Sequence, residues 1–225
     1  MIKKIYHGSI NIIKKPEYGK GKIRNDYGLG FYCTQNIEIA KEWGVTKDDN
    51  GYANIYEIDD TNLHILDLCS SKYTVLHWLC ILLQNRIFDI TSPLAHEAKN
   101  YILNNYSIPY NDYDIITGFR ADDSYFSFAQ DFINGTISIR QLSNAMKLGK
   151  LGIQYVLKSQ KAFNALSFVG YEIALSSQWY SKKEIRDKNA RAQYFDFEKN
   201  ARKKGDIYIT QILDQEIKSD DPLIR

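Results

Sequence analysis

The order in which two periodicities alternate along the chain narrows its fold more than any other feature. Apolar residues alternate with polar ones, or run nearly unbroken, over residues 2–6, 29–34, 54–58, 113–119, 153–157 and 167–175. That pattern predicts six short strands. Between them lie helical stretches. Asn36 is placed to cap a helix running to Trp43 and ended by Gly44. Residues 72–88 carry Val75, Leu76, Leu79, Leu82 and Leu83 three and four apart, the stripe of an amphipathic helix. Ser92-Pro93 opens another to about residue 104, residues 123–133 and 138–148 predict two more, and Ser159 caps a short one ending by Leu166. Strands and helices are interspersed without a regular strand–helix–strand beat, which predicts an α+β fold rather than a doubly wound sheet.

A chain of 225 residues, 44% hydrophobic, can bury a core without a disulfide or metal staple. Cys33, Cys69 and Cys80 are scattered, and His7, His64, His77 and His96 fall into no ligand spacing, so no metal is expected. A net charge of +2 excludes a nucleic-acid binder driven by overall charge. Locally the balance is uneven. Residues 1–24 hold seven Lys/Arg against one Glu, a net of +6, and residues 182–204 hold nine against four, a net of +5. Residues 205–225 hold two against five, a net of −3. The change from about Ser176 predicts two regions: a domain over residues 1–175 and a charged, largely helical extension over 176–225, its tail a mixed strand or helix. The N-terminus lacks the apolar block of a signal peptide, and the apolar run Val75 to Leu83 is too short to span a bilayer. A cytoplasmic protein without a membrane partner is the expectation.

Three segments carry chemistry together. The first is Tyr6-His7-Gly8-Ser9, closing the first strand. The second runs Asp26-Tyr27-Gly28-Leu29-Gly30-Phe31-Tyr32-Cys33-Thr34. The third is Gln154-Tyr155-Val156-Leu157-Lys158-Ser159. Singly, each has a plain structural reading: a strand-end turn, a glycine turn and a capped buried strand. Their order and spacing are more informative than any one.

As a set they resemble the ADP-ribosyltransferase fold, in the His–Tyr–Glu branch shared by diphtheria-type toxins and poly(ADP-ribose) polymerases. An uncharacterised bacterial toxin-like family of that clan, often paired with a small neighbouring gene, is closer still. The resemblance spans about residues 1–170. It implies a split β-sheet core with surrounding helices and NAD as substrate. It implies that His7 bonds the nicotinamide-side ribose, that the backbone of Gly8 holds the nicotinamide amide, and that Tyr32 stacks on the nicotinamide ring. Ser9, Gly28 and Gly30 would flank the dinucleotide and Arg86 would reach its pyrophosphate. The implied activity is mono-ADP-ribosyl transfer by a toxin-like effector to a protein or nucleic acid, with a neutralising antitoxin protein as partner.

One position departs from the branch. Its catalytic Glu heads a strand, and here Gln154 stands in that place, while Gly152 and Ile153 exclude a Glu–x–Glu pattern. A neutral amide keeps a hydrogen bond and loses the charge that steadies a cationic ribose. Such a loss costs about 3–4 kcal/mol in the barrier, or roughly 10²–10³ in rate. Polymer elongation is therefore not expected. A catalytically weakened module that binds NAD or ADP-ribose, or contacts protein, stays open beside the transferase. Other carboxylates have ordinary readings: Asp122-Asp123 as a helix cap, Asp26 as a turn former, Glu172 on the last strand. Arg86 can equally complement a helix C-terminus. His77, Trp43 and Trp78 read as packed residues, and His64 and His96 have no partner spacing.

Overall fold

The computed structural model describes residues 1–121 and 123–224. They form an α+β fold: a seven-stranded mixed sheet with eight α-helices among the described residues. The strands are β1 (Ile2–Ser9), β2 (Phe31–Thr34), β3 (Gly51–Asp59), β4 (Ile65–Asp67), β5 (Ile115–Phe119), β6 (Ile153–Leu157) and β7 (Leu166–Ala174). Their order in the sheet is β4-β5-β6-β2-β1-β3-β7. All neighbours are antiparallel except the β4–β5 pair.

The sheet is nearly two. β1 pairs with β3 along its whole length, from Ile2↔Asp59 to Ser9↔Tyr52. Its other edge meets β2 at a single registered pair, Tyr6↔Thr34. Beyond that pair the strands separate, and a seam opens at residues 7–9.

β1 extends through His7-Gly8-Ser9, which the sequence suggested as its closing turn. The extension depends on Gly8. A side-chain carbon there would stand 1.9 Å from the carbonyl oxygen of Ala40, so only glycine lets α1 (Ile37–Gly44) lie on this strand. α1 is capped as expected, Asn36 accepting from the amides of Glu38 at 2.9 Å and Ile39 at 3.4 Å. β2 starts two residues later than expected. Gly28 adopts φ +72° in a turn closed by its amide on the Asn25 carbonyl, so residues 27–30 cannot join the ladder.

α2 (Val75–Asn85) is the buried axis of the fold, with Val75 to Leu83 all enclosed. It is shorter than its apolar pattern because Thr74 and His77 form a reciprocal cap at its start, the Thr74 amide donating to His77 Nδ1 at 3.0 Å. α3 (Pro93–Asn105), α4 (Asp123–Ile133) and α5 (Ile139–Ala145) pack beside it in the main core cluster. Fully burying each Leu, Ile or Phe there contributes about 1.5–3 kcal/mol. α6 (Gln160–Asn164) covers the other face, where Ile5, Phe31, Tyr56 and Leu157 form a second cluster.

After β7 comes α7 (Ser176–Gln193), polar almost all round, with Trp179 and Ala190 buried. It docks through Arg186, which donates to Glu42 at 2.7 Å from Nε and 2.6 Å from Nη2. A wider π turn follows at Tyr194–Lys199, then α8 (Ile209–Asp214). Tyr194, Ile209, Ile212, Ile217 and Ile224 join the main cluster. Among the described residues no helix is long and apolar enough to cross a membrane.

Candidate functional site

A cavity of about 940 Å³ lies at the seam. β1 contributes His7, Gly8 and Ser9, β2 contributes Phe31 and Tyr32 with Gly30 before them, and β6 contributes Gln154. Trp43 comes from α1, Arg86 from the end of α2, Arg120 from the turn after β5, and Lys183 from α7. Residues 10–30 have no regular secondary structure and fold across the opening.

His7 stacks on Phe31 with ring centroids 4.3 Å apart, and its Nδ1 lies 2.7 Å from the Tyr32 carbonyl oxygen. A carbonyl only accepts, so Nδ1 carries the proton and Nε2 of the neutral ring is an acceptor. Burial lowers the His7 pKa, against the smaller opposing effect of that hydrogen bond. Neutral pH therefore finds the ring uncharged.

Tyr32 donates its hydroxyl to the Gly28 carbonyl and accepts from the Tyr27 amide at 3.1 Å. Burial holds its phenol well above the usual range, so it stays protonated. Gln154 sits in the middle of the sheet, registered with Thr34 on β2 and Gly118 on β5. Its side chain is only 4% exposed. Its buried Oε1 has no hydrogen-bond partner among the described residues, and neither has Trp43 Nε1. Leaving such a group unsatisfied costs about 1–3 kcal/mol.

The crossing loop is tied down at both ends. Ile13 donates its amide to Asn54 Oδ1 at 2.8 Å, and Tyr56 donates its hydroxyl to the Ile13 carbonyl. At the far end Lys158 Nζ donates to the carbonyls of Tyr27 at 2.6 Å and Leu29 at 2.8 Å. Desolvation brings the Lys158 pKa down to about 8. Asp26, buried, takes Arg86 Nη1 at 3.1 Å on one oxygen and the Ala121 amide at 2.8 Å on the other. Arg120 lies over the Trp43 ring, 3.8 Å from its centroid. Among the described residues around the cavity, Lys15, Lys20, Lys22, Arg86, Arg120 and Lys183 outnumber the carboxylates, Glu17 and Asp26. The field inside favours an anion.

His7, Gly8, Ser9, Gly30, Tyr32, Arg86 and Gln154, singled out from the sequence, all line this one cavity. Gly28 does not point into it. A side-chain carbon there would meet Asn85 Oδ1 at 2.5 Å, so its part is to supply the carbonyl that holds Tyr32. Arg86 both caps α2 and lines the cavity, already paired with Asp26. Asp26 is more than a turn former: it is buried because its two oxygens have charged and amide partners. Trp43 packs against the main core cluster as expected and also lines the cavity. Glu172 lies away from the site, exposed on β7 and 2.6 Å from Lys41. Asp122 lies outside the described residues, and Asp123 opens α4. His64 stacks on Tyr113, and Trp78 is buried with its Nε1 on the Phe119 carbonyl at 3.2 Å.

Lys183 and Arg120 as cavity lining, and Lys158 as the brace of the crossing loop, were not legible. Lys158 followed a strand in the manner of an ordinary cap, and Lys183 lay in a charge run far from the motifs. Only the position of Arg120, just after a buried strand, carried a signal. No group of three His, Cys, Asp or Glu side chains among the described residues is placed to hold a metal.

Residues 3–168 match the family described as "Protein of unknown function (DUF3990)", and the chain belongs to that family. No curated protein and no solved structure matches the chain.

Proposed function

We propose that this family member is an NAD-dependent mono-ADP-ribosyltransferase of the His–Tyr–Glu type, acting as a toxin-like effector held in check by an antitoxin protein. One observation carries the reading. His7, Tyr32 and Gln154, remote in sequence, come together around one cavity. The single pair joining β1 to β2 also fits the split core that branch implies.

The chemistry follows from the donor and acceptor inventory. His7 Nε2 is an acceptor and Gln154 lines the cavity with a neutral amide, groups suited to the hydroxyls of a ribose. Tyr32 and Phe31 supply flat aromatic surface for a planar ring. The excess of Lys and Arg around the cavity suits a pyrophosphate. In the reaction, the bond between ribose C1′ and the nicotinamide nitrogen breaks. Its electron pair leaves with nicotinamide, which departs neutral. C1′ gains cationic character, the acceptor's nucleophilic atom supplies a new pair to it, and that atom loses its proton to solvent.

Gln154 steadies the hydroxyl but not the charge, which favours one slow transfer over chain extension. The same residue is the argument for a second reading, a module that binds NAD or ADP-ribose without cleaving it. Purified protein incubated with adenylate-labelled NAD and cell lysate separates the two. The transferase moves label to a macromolecule, and a His7→Ala, Tyr32→Ala double variant does not. Nicotinamide-competable binding without label transfer selects the binding module. No binding of NAD rejects both.

A further inference from the structure

We infer that the mouth of the cavity is a surface for a single nucleic-acid strand, and that such a strand is the acceptor; the second half of the inference rests on the transferase reading. The observation is a convergence invisible in the sequence. The two basic segments, residues 1–24 with seven Lys/Arg against one Glu and residues 182–204 with nine against four Asp/Glu, come from opposite ends of the chain. They meet at one opening, where Lys15 and Lys22 of the crossing loop and Lys183 of α7 line the same cavity. Among the described residues no carboxylate lies in ion-pair distance of these three lysines, whereas Lys20 is paired with Glu17 at 2.8 Å.

Charge alone would suit an acidic protein equally. Two features favour a nucleic acid. Tyr18, between Lys15 and Lys22 in the loop, is 53% exposed and meets Phe163 edge to face at 5.7 Å, an aromatic ring open to solvent beside those lysines in the chain. Trp43 and Arg120 form a second flat pair inside the mouth. Cations interleaved with aromatic faces are the means by which proteins hold single strands without reading sequence.

The test is fluorescence anisotropy of labelled 12-residue DNA and RNA strands, without NAD, at 50 and 200 mM salt. Three lysine–phosphate contacts give a slope of about −2 in log affinity against log salt, or roughly 20-fold weaker binding at the higher salt. A Lys15→Gln, Lys22→Gln, Lys183→Gln variant loses that dependence, and each single substitution lowers the slope by about 0.7. The single variants serve as the reading if the triple variant melts early. A wild type that binds neither strand overturns the inference. So does a triple variant that binds as tightly as wild type, or a polyglutamate peptide that binds through these lysines where the strands do not.

The two halves fail separately. Strand binding with no label transferred from NAD leaves the surface and removes the transferase. Label on protein, with no strand binding, leaves the transferase and removes the strand.

Discussion

Replacing Gln154 with Met should stabilise the free protein and weaken its hold on NAD at the same time. The two side chains are close in length, and Gln154 is 4% exposed with an unpartnered buried Oε1. Met removes the unsatisfied oxygen while filling its space. An unsatisfied buried acceptor costs about 1–3 kcal/mol, and imperfect packing of the replacement takes back part of that, so a gain of about 1–2 kcal/mol is expected. For a chain of 225 residues, that raises the melting temperature by roughly 2–8 °C. Losing the contact to a ribose hydroxyl weakens NAD by about tenfold. At a concentration 100 times the wild-type Kd, stabilisation by NAD should then fall from about 2.7 to about 1.4 kcal/mol. Thermal melts of both proteins, with and without NAD, measure all four states. If Gln154→Met melts several degrees below wild type without NAD, the oxygen is already satisfied in the free protein. Gln154 would then carry no unsatisfied oxygen for the substitution to remove.

Three further outcomes follow from the same geometry. Burial lowers the pKa of folded His7 below the unfolded value of about 6.5, so the unfolded state binds the proton first. Stability and NAD affinity both decline as pH falls below about 6.5, and denaturant melts of His7→Phe across pH 5–8 should lack that part of the decline. Lys158 titrates at about 8 when folded and about 10.4 when unfolded. Wild-type stability therefore gains a contribution as pH rises from about 8 to 10.4. Denaturant melts should show it missing in Lys158→Met, whose freed carbonyls at Tyr27 and Leu29 also raise the Kd for NAD. Asp26→Ala strands Arg86 and the Ala121 amide. It should cost about 3 kcal/mol, seen calorimetrically as a melting point lower by roughly 6–12 °C.

What the sequence disclosed was what local rules govern. Asn36, Ser92 and Ser159 announced their helices because an N-cap side chain acts on amides two and three residues away. Residues 153–157 and 123–133 were bounded by their own periodicity. β4 escaped notice because three residues are too few to show a period. The end of β1 was misplaced because its continuation depends on α1, thirty residues on, packing against Gly8. The tail resolved into α8 because Ile209 and Ile212 reach the main core, a tertiary choice that propensity does not encode.

At the site the same division holds. His7, Tyr32 and Gln154 were legible because each sits on or beside a recognisable strand. The roles of Asp26, Trp43, Lys158 and Lys183 were not. Each is defined by a partner or neighbour brought up by the crossing loop, by α1 or by α7, elements without periodicity or far from the motifs. Asp26 illustrates the difficulty. A turn position next to tyrosine and glycine looks solvated, and it is partners such as Arg86 and the Ala121 amide that make its burial affordable in energy.

The reading proposed above turns on whether the seam cavity is an NAD site organised by His7 and Tyr32. Calorimetric titration of the purified protein with NAD tests it most directly, repeated in excess nicotinamide and with the His7→Ala, Tyr32→Ala variant. One NAD per chain is expected for wild type, displaced by nicotinamide and lost in a variant that still melts cooperatively. No heat of binding for wild type, or equal binding by the folded variant, would contradict it.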